Sequence, residues 1–229
     1  AELPQVLQLI VDKGDLNGAI APYREAIRLK QDLAEAHCKL GDALKANGET
    51  DLAITSYGEA IRLAPDYVDA RNNLGNTLSA KGNHDDAIRE LREATRLAPN
   101  EARQHYNLGV ALAAKGDRDG AIVSYRDAIR LKPDLADAHC NLGTMLLAKD
   151  ETDAAIDSYL EAIRHEPLAA DVHYYLGAAL EAKGEHERAI ASYRNSVQLA
   201  PDVADAHFNL GGALADNGDL DGAVREYRE

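Results

Sequence analysis

Tryptophan is absent from this sequence of 229 residues, phenylalanine occurs once, and cysteine occurs only twice. Alanine and leucine are abundant instead, and this balance favours helix over sheet. With 45% apolar and 28% charged residues, the composition is that of a globular protein and not of a disordered one. The sequence therefore predicts an all-α protein that is long enough to bury a substantial core.

Basic clusters and long apolar stretches are also missing. The formal net charge is −14, whereas a nucleic-acid-binding surface needs clustered lysine and arginine, so no nucleic-acid partner is expected. No stretch approaches the ~18 consecutive apolar residues of a membrane span, and no signal peptide is visible. We therefore expect no membrane insertion and favour a cytoplasmic location. The chain begins at Ala1 and ends within a repeating pattern at Glu229, which indicates a fragment of a longer protein.

Both cysteines follow a histidine, in the pairs His37-Cys38 and His139-Cys140. Adjacent residues on a helix project about 100° apart, so neither pair can aim both side chains at one ion. No motif of a zinc protease, a dinucleotide fold, a phosphate-binding loop or a serine hydrolase occurs. The sequence therefore predicts no catalytic residue, no metal site and no cofactor, and two free thiols in a monomer.

A period of 34 residues organises the chain. The dipeptide Leu-Gly recurs without insertion or deletion at Leu40-Gly41, Leu74-Gly75, Leu108-Gly109, Leu142-Gly143, Leu176-Gly177 and Leu210-Gly211. A proline closes successive periods at Pro65, Pro99, Pro133, Pro167 and Pro201. Such a strict period is the signature of a repeat architecture.

Each period predicts two helices. In the period at 102–135, Leu108 and Leu112 lie at helical spacing, and Gly116 supplies the left-handed stop expected just past a helix. The second helix carries Ile122 and Tyr125 on one stripe until the closing proline ends it. One such pair buries too little apolar surface to be stable alone, so stability must come from stacking the pairs.

The Leu-Gly pair, followed by an alanine, an aromatic residue, a second alanine and the proline, resembles the tetratricopeptide repeat. Full repeats lie at 34–67, 68–101, 102–135, 136–169 and 170–203, with incomplete units at 1–33 and 204–229. The resemblance implies a single array with the fold of a right-handed α-α superhelix, an α-solenoid of about seven 34-residue helix-turn-helix units. It also implies a non-enzymatic protein-interaction scaffold. The sequence departs from the family at its frequent tryptophan, which is replaced by His37, Arg71, His105, His139, His173 and His207.

Three positions break the pattern locally. Leu7 stands where the other units have the glycine of Leu-Gly, which predicts an atypical first helix. Pro22 falls within the next helix and predicts a kink or a late helix start. Asp150 replaces the helix-stop glycine and is predicted to adopt the left-handed conformation at a modest cost.

The resemblance further implies that the first helix of each repeat lines a concave groove. The sixth position of the repeats holds an asparagine in four of six cases, with interruptions at Lys39 and Tyr175. An amide both donates and accepts, so it can pair with the backbone of an extended peptide. This arrangement resembles the superhelical repeat domain of O-linked N-acetylglucosamine transferases, whose groove asparagines hold peptide substrates. The predicted peptide-binding residues are Asn73, Asn107, Asn141, Asn209, Asn76, Tyr106, Tyr174, Tyr175 and Phe208.

The second position of the repeats is mostly acidic, since it holds Glu35, Asp69, Arg103, Asp137, Asp171 and Asp205. Such a series repels a carboxylate and favours neutral to basic partner segments. Three alternatives stay open: the substrate-recognition arm of a larger glycosyltransferase resembling O-linked N-acetylglucosamine transferases, a structural module that self-associates through uncapped end repeats, and an engineered array.

Overall fold

The computed structural model of the protein describes residues 16–228, with side chains from residue 19 onward. The chain forms thirteen α-helices and no strand within this range. The helices are α1 (Leu16–Leu29), α2 (Ala34–Ala46), α3 (Thr50–Leu63), α4 (Val68–Ala80), α5 (His84–Leu97), α6 (Ala102–Lys115), α7 (Arg118–Leu131), α8 (Ala136–Leu147), α9 (Thr152–His165), α10 (Ala170–Ala182), α11 (His186–Leu199), α12 (Ala204–Asp216) and α13 (Leu220–Glu226). The expectation for Leu7 lies outside the described residues.

The helices belong to two compact units, residues 1–117 and residues 118–229. The first unit contains α1 to α6 and the second contains α7 to α13. Within each unit, every helix packs against the next one in the sequence. The first helices of neighbouring repeats also contact each other, α2 with α4 and α4 with α6 in the first unit, and α8 with α10 in the second. In each unit, the first helices form a layer that carries part of the candidate site.

The helix ends follow the repeat pattern. The first helices α2, α4, α6, α8, α10 and α12 begin at residues 34, 68, 102, 136, 170 and 204, which are the first residues of the predicted repeats. The turn after the first helix contains a glycine with φ between 82° and 88° in five repeats, as at Gly116. Asp150 takes this place in the remaining repeat with φ 61°, as the sequence predicts.

The glycine of Leu-Gly allows two helices of one repeat to approach closely. A Cβ atom at Gly143 would lie 2.8 Å from Cε1 of Tyr159, and one at Gly41 would lie 2.5 Å from the same atom of Tyr57. Both tyrosine rings are almost fully buried, so they fill the space that the missing side chain leaves. The repeat is thus held by a fixed glycine–aromatic contact in its core.

The fourth position of the repeat, where the family has its tryptophan, anchors the preceding turn. Nε2 of His139 lies 2.9 Å from the carbonyl oxygen of Pro133, and Nε2 of His173 lies 3.0 Å from that of Pro167. These imidazoles are also buried. The N–H group of each histidine therefore satisfies a carbonyl that the proline-terminated turn would leave without a partner.

Of the two consequences predicted for Pro22, the late helix start does not occur. Helix α1 already begins at Leu16, the position equivalent to Thr50 in the next repeat, and continues past Pro22 to Leu29. Packing of the buried Ala19, Tyr23 and Ala26 on either side of the proline explains this, because tertiary contacts outweigh one missing backbone hydrogen bond.

Candidate functional site

A chain of polar side chains links the first helices of the first unit. Asn107 Nδ2 donates to Asn72 Oδ1 at 2.7 Å, from α6 to α4. Asn73 Nδ2 donates to Asp42 Oδ1 at 2.9 Å, from α4 to α2. The same carboxylate oxygen accepts a hydrogen bond from the Tyr57 hydroxyl at 2.9 Å. Two of the predicted peptide-binding asparagines therefore use their N–H groups to join successive repeats.

The second unit shows a related arrangement at its last asparagine. Asn209 Nδ2 on α12 donates to the hydroxyl of Tyr174 on α10 at 2.8 Å. The amide oxygens of Asn107 and Asn209 have no hydrogen bond within residues 16–228, so each can accept an N–H group from a ligand. The sequence predicted that both the NH2 group and the oxygen of each asparagine would be available to a peptide. In the fold the NH2 groups of Asn107 and Asn209 are already used, and only their oxygens are available.

The other two predicted asparagines are half-buried. Asn76 lies on α4, one turn after Asn73. Asn141 lines a cavity of about 220 Å³ together with Cys140 and Tyr175. The first helices thus carry asparagines in both units. Two of those in the first unit pair with other polar side chains, and two of those in the second unit lie beside tyrosines.

Aromatic side chains gather in the second unit. Tyr175 stacks on the buried Tyr159 with ring centroids 6.0 Å apart. Tyr174 meets Tyr175 edge-on, with centroids 5.6 Å apart and planes at 73°. Phe208 is 67% exposed and lies 5.8 Å from Tyr227. The predicted Tyr106 lies in the first unit, half-buried on α6.

The fifth position of the repeat is buried in several repeats, although it lies next to the asparagine position on the first helix. Cys38 is 1% exposed, and Cys140 and Asn72 are also buried. Burial, with a smaller effect from the charge of Asp42, raises the pKa of Cys38 to about 11. Burial, with smaller effects from Asp171 and Asp137, raises the pKa of Cys140 to about 12. Both thiols are therefore protonated at neutral pH and poorly nucleophilic.

Most acidic side chains at the second position are exposed and form no ion pair within the described part of the chain. In the first unit, Asp69 forms an ion pair of 2.6 Å with Arg103 of the next repeat, whereas the exposed Glu35 forms none within residues 16–228. In the second unit, Asp137, Asp171 and Asp205 are exposed, and none of them forms an ion pair within residues 16–228. The second unit therefore presents carboxylates on its first helices that are available to a cation.

The described part of the chain has no group of three or more His, Cys, Asp or Glu side chains that could hold a metal ion. None of its helices has the length and apolar character needed to cross a bilayer.

Two family models match the sequence. One, described as TPR repeat, matches residues 8–48 and 41–82. The other, described as tetratricopeptide repeat, matches residues 73–136, 140–202 and 187–229. Together they extend over nearly the whole chain. No curated protein sequence matches it.

Several solved structures share this fold. A crystal structure of MamA has a TM-score of 0.65 and 30% identity, over 68% of this chain and 91% of that one. YrrB, described as a TPR protein with an unusual peptide-binding site, has a TM-score of 0.68 and 21% identity, over 80% of this chain and 95% of its own. PilF of Pseudomonas aeruginosa has a TM-score of 0.75 and 20% identity, over 84% and 88%. These likenesses and the helices described above confirm the predicted all-α repeat fold.

Proposed function

Because this chain belongs to the tetratricopeptide repeat family, we propose that it binds an extended peptide segment of a partner protein on its first-helix layer. Proteins with this repeat act as interaction scaffolds, and YrrB, which has a similar fold, is described as having a peptide-binding site. The proposed role is binding, with no reaction carried out by these residues.

The orientation of the asparagine side chains carries the proposal. Asn107 and Asn209 are each held by a hydrogen bond from Nδ2 to the preceding repeat, at 2.7 Å and 2.8 Å. An amide fixed in this way has lost its rotational freedom before a ligand arrives, so its oxygen accepts a peptide N–H at a low entropic cost. Contacts to the main chain of a peptide tolerate many sequences, which suits a scaffold.

The aromatic residues and the acidic series add preference for particular side chains. Tyr174 and Tyr175 offer apolar ring surface beside the asparagine layer of the second unit. The exposed Asp137, Asp171 and Asp205 favour neutral or basic partner segments and disfavour acidic ones.

Selection from a random peptide library tests the proposal, because it requires no candidate partner. Random dodecapeptides displayed on phage are selected on the complete 229-residue chain, and recovered peptides are measured by fluorescence anisotropy. The variants Asn76→Ala and Asn209→Ala are expected to weaken binding, each by roughly 2- to 10-fold, the range of one hydrogen bond. Asn195→Ala, at an exposed position on the second helix α11, is the matched control and is expected to leave affinity unchanged.

Circular dichroism of each variant checks that helix content is retained. Equal affinity of the wild type, the two first-helix variants and the control would contradict the proposed role of the asparagines. Failure of the wild type to retain any peptide would contradict peptide binding itself.

A second candidate, self-association, is favoured by one observation. Helix α13 exposes apolar side chains, with Leu220 66% exposed and both Val224 and Tyr227 about half exposed. Such a cluster on the outer side of a repeat can pack against another copy. Light scattering over a concentration series tests this. A molar mass that rises with concentration for the wild type, but stays at that of the monomer for Leu220→Glu, supports self-association. A constant monomeric mass contradicts it.

A further inference from the structure

The repeat at 170–203 differs from the repeat at 34–67 at three positions that line one cavity. Tyr175 stands where most repeats have asparagine, Ser196 where other repeats have alanine, and Val203 where the repeat at 34–67 has Tyr67. All three line a cavity of about 410 Å³ within the second unit, together with Asp171, Tyr174 and Asp205. We call this cavity, lined by these six residues, the tyrosine–aspartate pocket.

The equivalent place in the first unit is filled. There Tyr67 packs against the apolar core that includes Cys38. In the repeat at 170–203, Tyr174 replaces the cysteine and Val203 replaces the tyrosine. The smaller side chain at the repeat end leaves the tyrosine–aspartate pocket open, with an aromatic wall on its first-helix side.

Ser196 places a hydroxyl in this pocket that the fold does not use. The residue is only 3% exposed, and its hydroxyl forms no hydrogen bond within residues 16–228. Other buried serines on the second helices do form one, as Ser192 donates to the carbonyl of Arg188 at 3.0 Å. The hydroxyl oxygen is open to the cavity and not sealed in the core, so it is available to pair with a polar group of a ligand.

The charges and rings of the tyrosine–aspartate pocket select the chemistry of that ligand. Asp171 and Asp205 are exposed and have no ion pair within residues 16–228. The ion pair of Asp69 with Arg103 shows that a carboxylate at this repeat position can bind a guanidinium group. Two tyrosine rings at 73° to each other, beside carboxylates, suit a cation with an aliphatic stem.

We propose that the tyrosine–aspartate pocket binds an arginine or lysine side chain of the partner segment. Asp171 and Asp205 pair with its charge, the rings of Tyr174 and Tyr175 contact its stem and head, and the Ser196 hydroxyl accepts one of its N–H groups. The interruption of the asparagine series at Tyr175 is then a side-chain-specific subsite within a layer that otherwise contacts the peptide backbone. This assignment of the occupant as part of a peptide rests on the proposed function.

The pocket can be tested with a probe that contains no extended peptide. N-acetyl-arginine methylamide is titrated into the complete chain with ¹³C-labelled tyrosine, and the ring signals are assigned with Tyr174→Phe and Tyr175→Phe. Saturable shifts of both ring signals are expected, with a dissociation constant on the order of 1–10 mM, as is typical of a small fragment. N-acetyl-citrulline methylamide, which has nearly the same shape but no charge, is expected to bind about 5-fold more weakly or not at all.

Variants separate the charge of the pocket from its fold. Asp171→Asn and Asp205→Asn are each expected to weaken arginine-probe binding about 3- to 10-fold. Asp157→Asn changes the same charge at an exposed position of α9 outside the pocket and is expected to have no effect. Val203→Tyr restores the residue of the repeat at 34–67 and is expected to block the probe.

The proposal is overturned if the arginine probe shifts neither ring signal, or if the citrulline probe binds equally well, or if Asp157→Asn weakens binding as much as the pocket variants. The probe experiments leave every asparagine unchanged. If the probe does not bind but Asn209→Ala still weakens the binding of selected peptides, only the pocket proposal is contradicted. If the probe binds but Asn209→Ala has no effect on peptide affinity, only the proposed asparagine contacts are contradicted.

Discussion

The substitution Gly143→Ala tests the contact that holds each repeat together. The added Cβ would lie 2.8 Å, 2.9 Å and 3.0 Å from three carbons of the Tyr159 ring, well inside van der Waals contact. The Tyr159 ring cannot move aside easily, because it is only 1% exposed and stacks on Tyr175. Its hydroxyl oxygen also lies 3.1 Å from that of Thr144, within hydrogen-bond distance. Overpacking of this kind costs about 1–3 kcal/mol, while alanine in place of glycine within a helix gains about 1 kcal/mol.

We therefore expect the free energy of unfolding to fall by up to about 2 kcal/mol in Gly143→Ala. Gly58→Ala is the matched control, because it lies within helix α3 with no atom within 4 Å of the added Cβ. That variant is expected to gain about 0.5–1 kcal/mol from helix propensity alone. Urea unfolding followed by far-UV circular dichroism measures both. Equal stabilisation by the two substitutions would refute the packing account.

Two further predictions concern single sites. Asp150→Gly is expected to raise the free energy of unfolding by about 0.5–1 kcal/mol, because Asp150 has φ 61°, where glycine is unstrained. Urea unfolding measures this gain and compares it with Gly184→Ala, which is expected to lose about 1 kcal/mol. A gain in Gly184→Ala would contradict this. Stability is also expected to fall above pH 9, because burial raises the pKa of Cys140 from 9.0 to about 12 and the unfolded chain alone then releases the thiol proton. By pH 10 this thiol should account for about 1 kcal/mol of lost stability, which Cys140→Ala should abolish. An unchanged pH dependence in that variant would contradict the assignment.

The fold could be predicted from the sequence because the repeat is local. Residues such as Gly116, Asp150 and the closing prolines set helix ends within a few residues of themselves, and the strict period places each first helix independently of its neighbours. Pro22 shows the limit of this reasoning, since α1 continues past it where the packed face of the helix holds it in place.

The candidate site could be predicted only in part, because its geometry depends on contacts between repeats. The asparagines could be identified by their position in the repeat. The hydrogen bond from Asn107 to Asn72, however, joins neighbouring repeats, and no periodicity in the sequence indicates whether the NH2 group or the oxygen of the amide remains available. The burial of Cys38 depends in the same way on other helices, because the apolar core that contains it packs against Tyr67 at the repeat end. Two sequence signals indicate the pocket, Tyr175 at an asparagine position and Ser196 at an alanine position. The resemblance of the asparagines to those of O-linked N-acetylglucosamine transferases stays a prediction.

The central claim is that asparagine oxygens on the first helices accept hydrogen bonds from the backbone of a bound peptide. The most direct measurement is a cycle in which each backbone amide of a selected peptide is N-methylated and its affinity is measured for the wild type and for Asn209→Ala. We expect N-methylation of one amide to weaken binding to the wild type by roughly 2- to 10-fold and to have no such effect on the variant. Identical N-methylation profiles for the two proteins would contradict the claim.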